Sequence, residues 1–133
     1  MHIASYFVNF IVMPINTDSV TFRSSCPIAS CLDIVGDKWT LLVIRDIALF
    51  DKHRNKEFER SLEGFPTNLL ADRLKKLVAW GLIEKMEYQN NPPRYEYYLT
   101  EKGEDLVPVL ETMAQWSARH IEGVKMPGLN TAG

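Results

Sequence analysis

In 133 residues the chain holds only two cysteines and three histidines. The cysteines, Cys26 and Cys31 in "CPIASC", are too few for the disulfide framework of a small secreted domain, and they lack the C-x-x-C spacing and partner ligands of a zinc site. His2, His53 and His120 stand far apart, without the H-x-x-x-H or H-E-x-x-H spacing of a catalytic metal site. There is no glycine-rich phosphate loop and no G-x-S-x-G elbow. Glu57 and Glu59 are two residues apart and so lie on different faces of a helix. The chain is not read as an enzyme, no metal or cofactor is expected, and the cysteine usage fits the cytoplasm.

Long hydrophobic runs are also missing. The opening stretch "MHIASYFVNFIVMPI" has the length of a signal-peptide core, but it has no Lys/Arg region and no A-x-A-like cleavage site, and Asn9 interrupts it. It is too short to span a bilayer. It reads as an apolar packing arm or an untidy N-terminus rather than an export signal, and no membrane partner is expected. With "NTDSVTFRSS" it makes an N-terminal arm and linker over residues 1–25. A large excess of either charge is missing too, the formal net charge being −2. The charge is unevenly placed: Lys38 to Arg94 holds eleven Lys/Arg against eight Asp/Glu, and Glu101 to Gly133 holds three against five. A DNA-facing surface on the middle third is thus permitted, though not established.

What remains is patterned. Pro27 suits a first helical position, with Cys26 as N-cap and Gly36 as a stop, giving a helix over about Pro27–Val35. Asp37 caps the next helix, where Trp39, Leu42, Val43, Ile47 and Phe50 recur at helical spacing and Lys38, Arg45 and Asp46 are left for solvent. In "EFERSLEG" Phe58 and Leu62 are four apart, and Gly64 ends a short third helix. Leu70, Leu74, Leu77 and Val78 then form one apolar face of a helix that Gly81 ends, with Asn68, Asp72, Lys75 and Lys76 opposite. Short helix, tight turn at "GFPT" and amphipathic helix make a helix-turn-helix.

Beyond it the period changes from 3.6 to 2. Ile83, Lys85 and Glu87 alternate with Glu84, Met86 and Tyr88, and Arg94, Glu96 and Tyr98 alternate with Tyr95, Tyr97 and Leu99. These are two strands of a hairpin with "QNNPP" at its tip. Thr100 caps a last long helix, which Pro108 kinks or restarts. The expected fold class is mainly α with a small antiparallel β-hairpin (α+β), a winged helix-turn-helix domain over residues 26–122. A flexible tail is expected over 123–133.

The strings "CPI…LDIVGDKWTLLVIRD", "F-x-R-S-L-x-G", "NLLADRLKKLVAWGLIEK", "PPRYEYYLTEKG" and "LVPVLETMAQW", in this order and spacing, resemble the HxlR-type bacterial transcription regulators. The resemblance covers about Cys26 to His120. It implies a cytoplasmic winged helix-turn-helix regulator, homodimeric through N- and C-terminal dimerisation helices, that binds pseudo-palindromic double-stranded DNA. It places the recognition helix over Thr67–Trp80 and the wing at "QNNPPR". It also implies that Cys26 stands where many relatives carry a cysteine, which in some senses oxidants or electrophiles.

Two departures stand out. Pro66 occupies a turn position where relatives often have Ser, so either Thr67 caps the helix or Pro66 is its first residue. Arg94 adds a positive charge at the base of the wing.

The residues supply chemistry for these roles. Thr67 and Asn68 lie at the end of a recognition helix that reads base edges, and Asn pairs with adenine. Lys75, Lys76 and Arg94 suit phosphates. Arg73 flanks the apolar stripe and has two readings, a phosphate contact or an internal ion pair. Among the tryptophans, Trp39 and Trp116 are read as core or dimer packing and Trp80 as partly exposed near the hairpin. A thiol at the Cys26 cap meets the positive end of a helix dipole, which favours thiolate, so it is either a redox or electrophile sensor or a neutral cap. Cys31, some 140° around the helix, is read as a buried packing residue. The rival readings are a winged-helix protein-interaction module without DNA binding and a regulator answering a small molecule without a thiol switch.

Overall fold

The computed structural model describes residues 14–126. The apolar arm through residue 13, His2 with it, and the tail from residue 127 lie outside the described residues. Helix α1 runs Pro27–Val35, α2 Thr40–Phe50, α3 Asn55–Glu59 and α4 Thr67–Ala79. Strands β1 (Ile83–Asn90) and β2 (Pro93–Leu99) follow, then α5 (Glu101–Glu104) and α6 (Val107–His120). No described helix is long and apolar enough to cross a membrane.

Local chemistry explains most boundaries. Pro27 opens α1 behind an extended Cys26, and the N–H of Gly36 closes it on the Leu32 carbonyl. The Asp37 carboxylate accepts from the N–H groups of Trp39 (3.0 Å) and Thr40 (3.2 Å), so α2 starts one turn after an acidic cap. Pro108 sits in the first turn of α6, so the proline restarts the last helix rather than bending it. Gly81 at φ +76° ends α4 with two bonds, Gly81 N–H to Val78 O (3.0 Å) and Leu82 N–H to Leu77 O (2.9 Å), the Schellman pattern that a left-handed residue permits.

One core unites these elements. Val43, Ile44 and Ile47 of α2, Phe58 of α3, Leu70, Leu74 and Leu77 of α4, and Ile83 and Tyr97 of the hairpin are buried together with Phe65, Trp80 and Leu82. Four expectations need correction. Asp46 is fully buried, not solvent-facing. Its carboxylate accepts from Ser61 Oγ at 2.5 Å and from Arg45 at 2.7 and 2.9 Å, and Arg45 in turn grips Glu63 through two bonds of 2.9 Å. A charged network satisfied in this way is tolerated inside a core. The third helix ends at Glu59, and Leu62, past its end, is fully exposed instead of packing beside Phe58. Trp80, expected to be partly exposed, is buried at 6% exposure, three residues past Leu77 on the core-facing side of α4. Cys31, expected to be buried, is half-buried.

The hairpin pairs antiparallel from Ile83 with Leu99 to Asn90 with Pro93, and the register slips at Tyr88. Only one proline of the double proline is in the turn; Pro93 already opens β2. The Tyr97 N–H donates to the His53 carbonyl at 2.8 Å, so the loop before α3 docks on the outer edge of β2.

Candidate nucleic-acid interface

The α4 helix begins behind Pro66, which is the extended N-cap residue and supplies no side-chain cap. Neither expected start is realised: Thr67 does not cap, and Pro66 lies just outside the helix. Proline locks φ near the extended value it holds here (φ −63°, ψ 134°) and needs no N–H partner of its own. Thr67 and Asn68 therefore occupy the first turn, both exposed, with no side chain capping that end. A helix start in this state presents backbone N–H groups and a positive dipole end to an incoming anion.

Farther along α4 the charges divide. Lys75 is exposed and forms no ion pair among the described residues. Lys76 Nζ lies 3.2 Å from Asp72, one turn earlier. Arg73 is engaged inside the protein: its Nε donates to Asp37 at 2.9 Å and its Nη1 to Asp72. Of the two readings for Arg73, the internal pair is the one present. Asp72 is thereby balanced between Arg73 and Lys76.

Asp37 takes its proton at about pH 2, below the ordinary 3.8. Burial works to raise that value, but the Thr40 hydroxyl, the Arg73 guanidinium and the Trp39 N–H together outweigh it. The carboxylate is thus a permanent anion joining the α2 start to α4.

Arg94 is exposed at the start of β2 and unpaired among the described residues. It lines a cleft of about 750 Å³ between α3 and the hairpin, where Arg54, Lys56 and Arg60 also stand. Arg54 stacks over the Tyr88 ring at 3.9 Å and pairs with Glu96 at 3.0 Å. The sequence reading did not pick out Lys56 and Arg60. In "DKHRNKEFER" only the charge density hinted at them, because the partners that shape this cleft come from a strand some thirty residues away. Both ring nitrogens of His53 are satisfied: Nδ1 meets the Tyr97 carbonyl and Nε2 meets Asp51, each at 2.8 Å. Burial opposes its protonation, but those two acceptors prevail and raise its pKa above 6.5.

Cys26 is exposed at the α1 start, and its N–H is held by Ser24 Oγ at 3.2 Å. Beside it Ile28 and Leu32 are exposed on α1, and Val109, Met113 and Trp116 are exposed on α6. Trp116 does not pack in the core of the chain; it is 60% exposed. No group of acidic, histidine and cysteine side chains among the described residues is arranged to hold a metal ion.

The family model for HxlR-like helix-turn-helix proteins matches residues 34–125. The chain belongs to the HxlR-like helix-turn-helix family. Its mainly α fold with one antiparallel hairpin is that of winged-helix regulators.

This HxlR-like chain is 37% identical over 94 residues to an uncharacterized HTH-type transcriptional regulator of Mycobacterium tuberculosis, a match covering 71% of the chain and 58% of the relative. It thus spans somewhat over half the length of that mycobacterial relative. Among solved structures it is similar to the reduced form of the transcriptional regulator YodB from B. subtilis, at 31% identity and a TM-score of 0.58 over 74% of this chain and 97% of that one. It is also similar to the redox regulator HypR in its reduced form, at 30% identity and a TM-score of 0.64 over 73% and 95%.

Proposed function

We propose that this HxlR-like protein is a homodimeric, sequence-specific DNA-binding transcription regulator of the cytoplasm, acting on a pseudo-palindromic operator and switched through Cys26. The observation that carries the DNA reading is the uncapped, exposed first turn of α4 beside a hairpin bearing an unpaired Arg94. Thr67 and Asn68 meet base edges in the major groove; Lys75, Lys76 and Arg94 meet phosphates. Arg73 acts as a positioning residue that holds α4 to Asp37, since its guanidinium already has two carboxylate partners.

The exposed apolar faces of α1 and α6 support the dimer, because side chains such as Met113 and Trp116 are otherwise left against water. Cys26 lies at the edge of the α1 face. Hydrogen peroxide would oxidise two Cys26 thiols, one per protomer, to a disulfide: the S–S bond forms, the O–O bond breaks, and the two thiol protons leave in two waters. An electrophile would instead add to the thiolate. Likeness to HypR, a redox regulator by name, supports this reading.

The test is fluorescence anisotropy on promoter fragments over a series of salt concentrations. Binding should weaken with salt at a log–log slope of about −0.9 per phosphate neutralised. Peroxide should release wild type and leave Cys26→Ser bound; equal release of both proteins removes the thiol switch. Repeated absence of binding across the fragments removes the DNA reading and favours an interaction module.

A further inference from the structure

The start of α3, the side of α4 and the hairpin enclose a notch of about 390 Å³. Its polar lining is Asn55, Lys75, Lys85 and Tyr97, and its other lining residues are apolar. No carboxylate stands in the wall. Those on the same elements are occupied or farther out: Glu57 accepts the N–H groups of His53 and Arg54 at 2.9 and 3.0 Å, Asp72 holds Arg73 and Lys76, and Glu87 lies opposite Tyr95 beyond the notch. Lys85 and Tyr97 are direct partners across the hairpin, so their side chains share a face. Lys85 Nζ lies 4.1 Å from the Tyr95 ring centroid and, like Lys75, forms no ion pair among the described residues.

Tyr97 supplies the second observation. It is only 7% exposed, its ring packed 6.4 Å from that of Phe58, yet its hydroxyl has no hydrogen-bond partner among the described residues. The one fully enclosed side-chain nitrogen or oxygen without a partner there is Trp80 Nε1, so the Tyr97 hydroxyl is not sealed in; the small surface that Tyr97 keeps opens on the notch it lines. Burial, with Tyr95 beside it, raises the phenol pKa above 10, so the hydroxyl keeps its proton at neutral pH. A buried hydroxyl left without a partner is costly, and here it joins two ammonium groups and an amide in a wall that lacks any anion.

We propose that this notch seats a phosphate group of a DNA strand passing between α4 and the hairpin, with the Tyr97 hydroxyl, the Asn55 amide and the Lys75 and Lys85 ammonium groups donating to its oxygens. The phosphodiester is a pure acceptor carrying one negative charge, which matches a set of donors with no carboxylate. Its place on α4 supports the same source. Ala71 and Lys75 follow Thr67 by four and eight residues and so continue its face of the helix, Lys75 about 12 Å farther along the axis. That length is about the width of the major groove, so base edges at the start of α4 and a phosphate on the groove wall are within reach together. The DNA source rests on the proposed function; the phosphate chemistry of the notch does not.

The experiment uses the full chain with carbon-13 at the tyrosine Cζ atoms, whose shift follows the hydroxyl's hydrogen bond. Five tyrosines give five signals, and that of Tyr97 is assigned by its loss in Tyr97→Phe. A mixed-sequence DNA duplex and, separately, inorganic phosphate are titrated, with chloride at matched ionic strength as the control. The Tyr97 signal should move and saturate with duplex and stay still in chloride. In anisotropy over a salt series, Tyr97→Phe should bind duplex about tenfold more weakly with an unchanged slope, since it loses a neutral donor. Lys85→Gln should reduce the slope by about 0.9, one phosphate. The urea midpoint of Tyr97→Phe should not fall, because the lost hydroxyl bonds to nothing among the described residues.

A chain that binds duplex while its Tyr97 signal stays still overturns the site, and so do wild-type affinity and slope in both variants. A chain that binds no duplex fails the proposed function, and inorganic phosphate then decides the notch alone. A saturating Tyr97 shift keeps it as a seat for free phosphate compounds, and a still signal overturns it.

Discussion

Arg73 Nε donates to the Asp37 carboxylate at 2.9 Å across 36 residues of sequence, fastening the middle of α4 to the turn before α2. The same carboxylate caps α2 through Trp39 and Thr40. One anion thus orients two helices.

Because the Asp37 carboxyl is held at about 2 instead of 3.8, the unfolded chain binds this proton more readily than the folded one. Its contribution is whole above pH 3.8 and disappears as the pH falls through 2. With solvent screening it amounts to about 1 kcal/mol. Asp37→Asn should lower the urea midpoint at neutral pH and flatten its decline in acid. His53 runs the other way: its raised pKa gives a contribution that is full below 6.5 and lost as the pH rises through the folded value. His53→Gln should remove that alkaline loss. Identical pH profiles for wild type and both variants would contradict these assignments.

Asp46 is the network residue with most at stake. Asp46→Ala leaves Arg45 half-buried with Glu63 alone and Ser61 without its acceptor. Removing one partner of a buried charge pair costs about 3–5 kcal/mol. Glu63→Ala, at the exposed end of the same chain of contacts, should cost about 1 kcal/mol or less. Chemical denaturation checks the ranking, and comparable losses for the two variants would contradict it.

In the DNA reading, Arg94→Ala should weaken every sequence alike and reduce the salt slope by about one phosphate. Asn68→Ala should also narrow the gap between operator and unrelated DNA, by about 1–3 kcal/mol of discrimination. Competition anisotropy separates the two effects. If neither variant changes binding, the contact surface lies elsewhere.

In the dimer reading, charge placed on the apolar face of α6 should separate protomers. Met113→Glu and Trp116→Glu, each at an exposed position, should shift the mass found by light scattering from two chains to one without loss of helical circular dichroism. Two-chain mass in both variants would remove α6 from the interface.

Much of this was readable in the sequence because it is local chemistry. Pro27, Gly81 and Thr100 mark helix ends through one residue's backbone or hydroxyl, and the period change after Gly81 announces the hairpin. Asp46 was misread because its partners, Ser61 at fifteen residues' distance and Lys52 in the loop, are set by tertiary folding; periodicity alone sends a charged residue outward. Leu62 failed for the opposite reason, since a helical spacing was extended past Glu59, where the backbone had already turned. Arg73 was legible only as a choice, because its wheel position lies on the boundary between stripe and surface. The cleft beside Arg94 and the orphaned indole of Trp80 arise from elements far apart in the chain and leave no spacing to detect.

The joint after α4 has no slack. Thr100 Oγ1 donates to the Gly81 carbonyl at 2.6 Å and receives the Gly103 N–H at 3.2 Å, while the Thr100 N–H reaches the Leu82 carbonyl at 3.1 Å. A Cβ on Gly103 would come within 2.1 Å of that Leu82 oxygen, so α5 is pressed directly against the backbone. The end of α4 and the approach to α6 are therefore one mechanical piece. A methyl group at position 103 would wedge this joint open and part the end of α4 from the approach to α6.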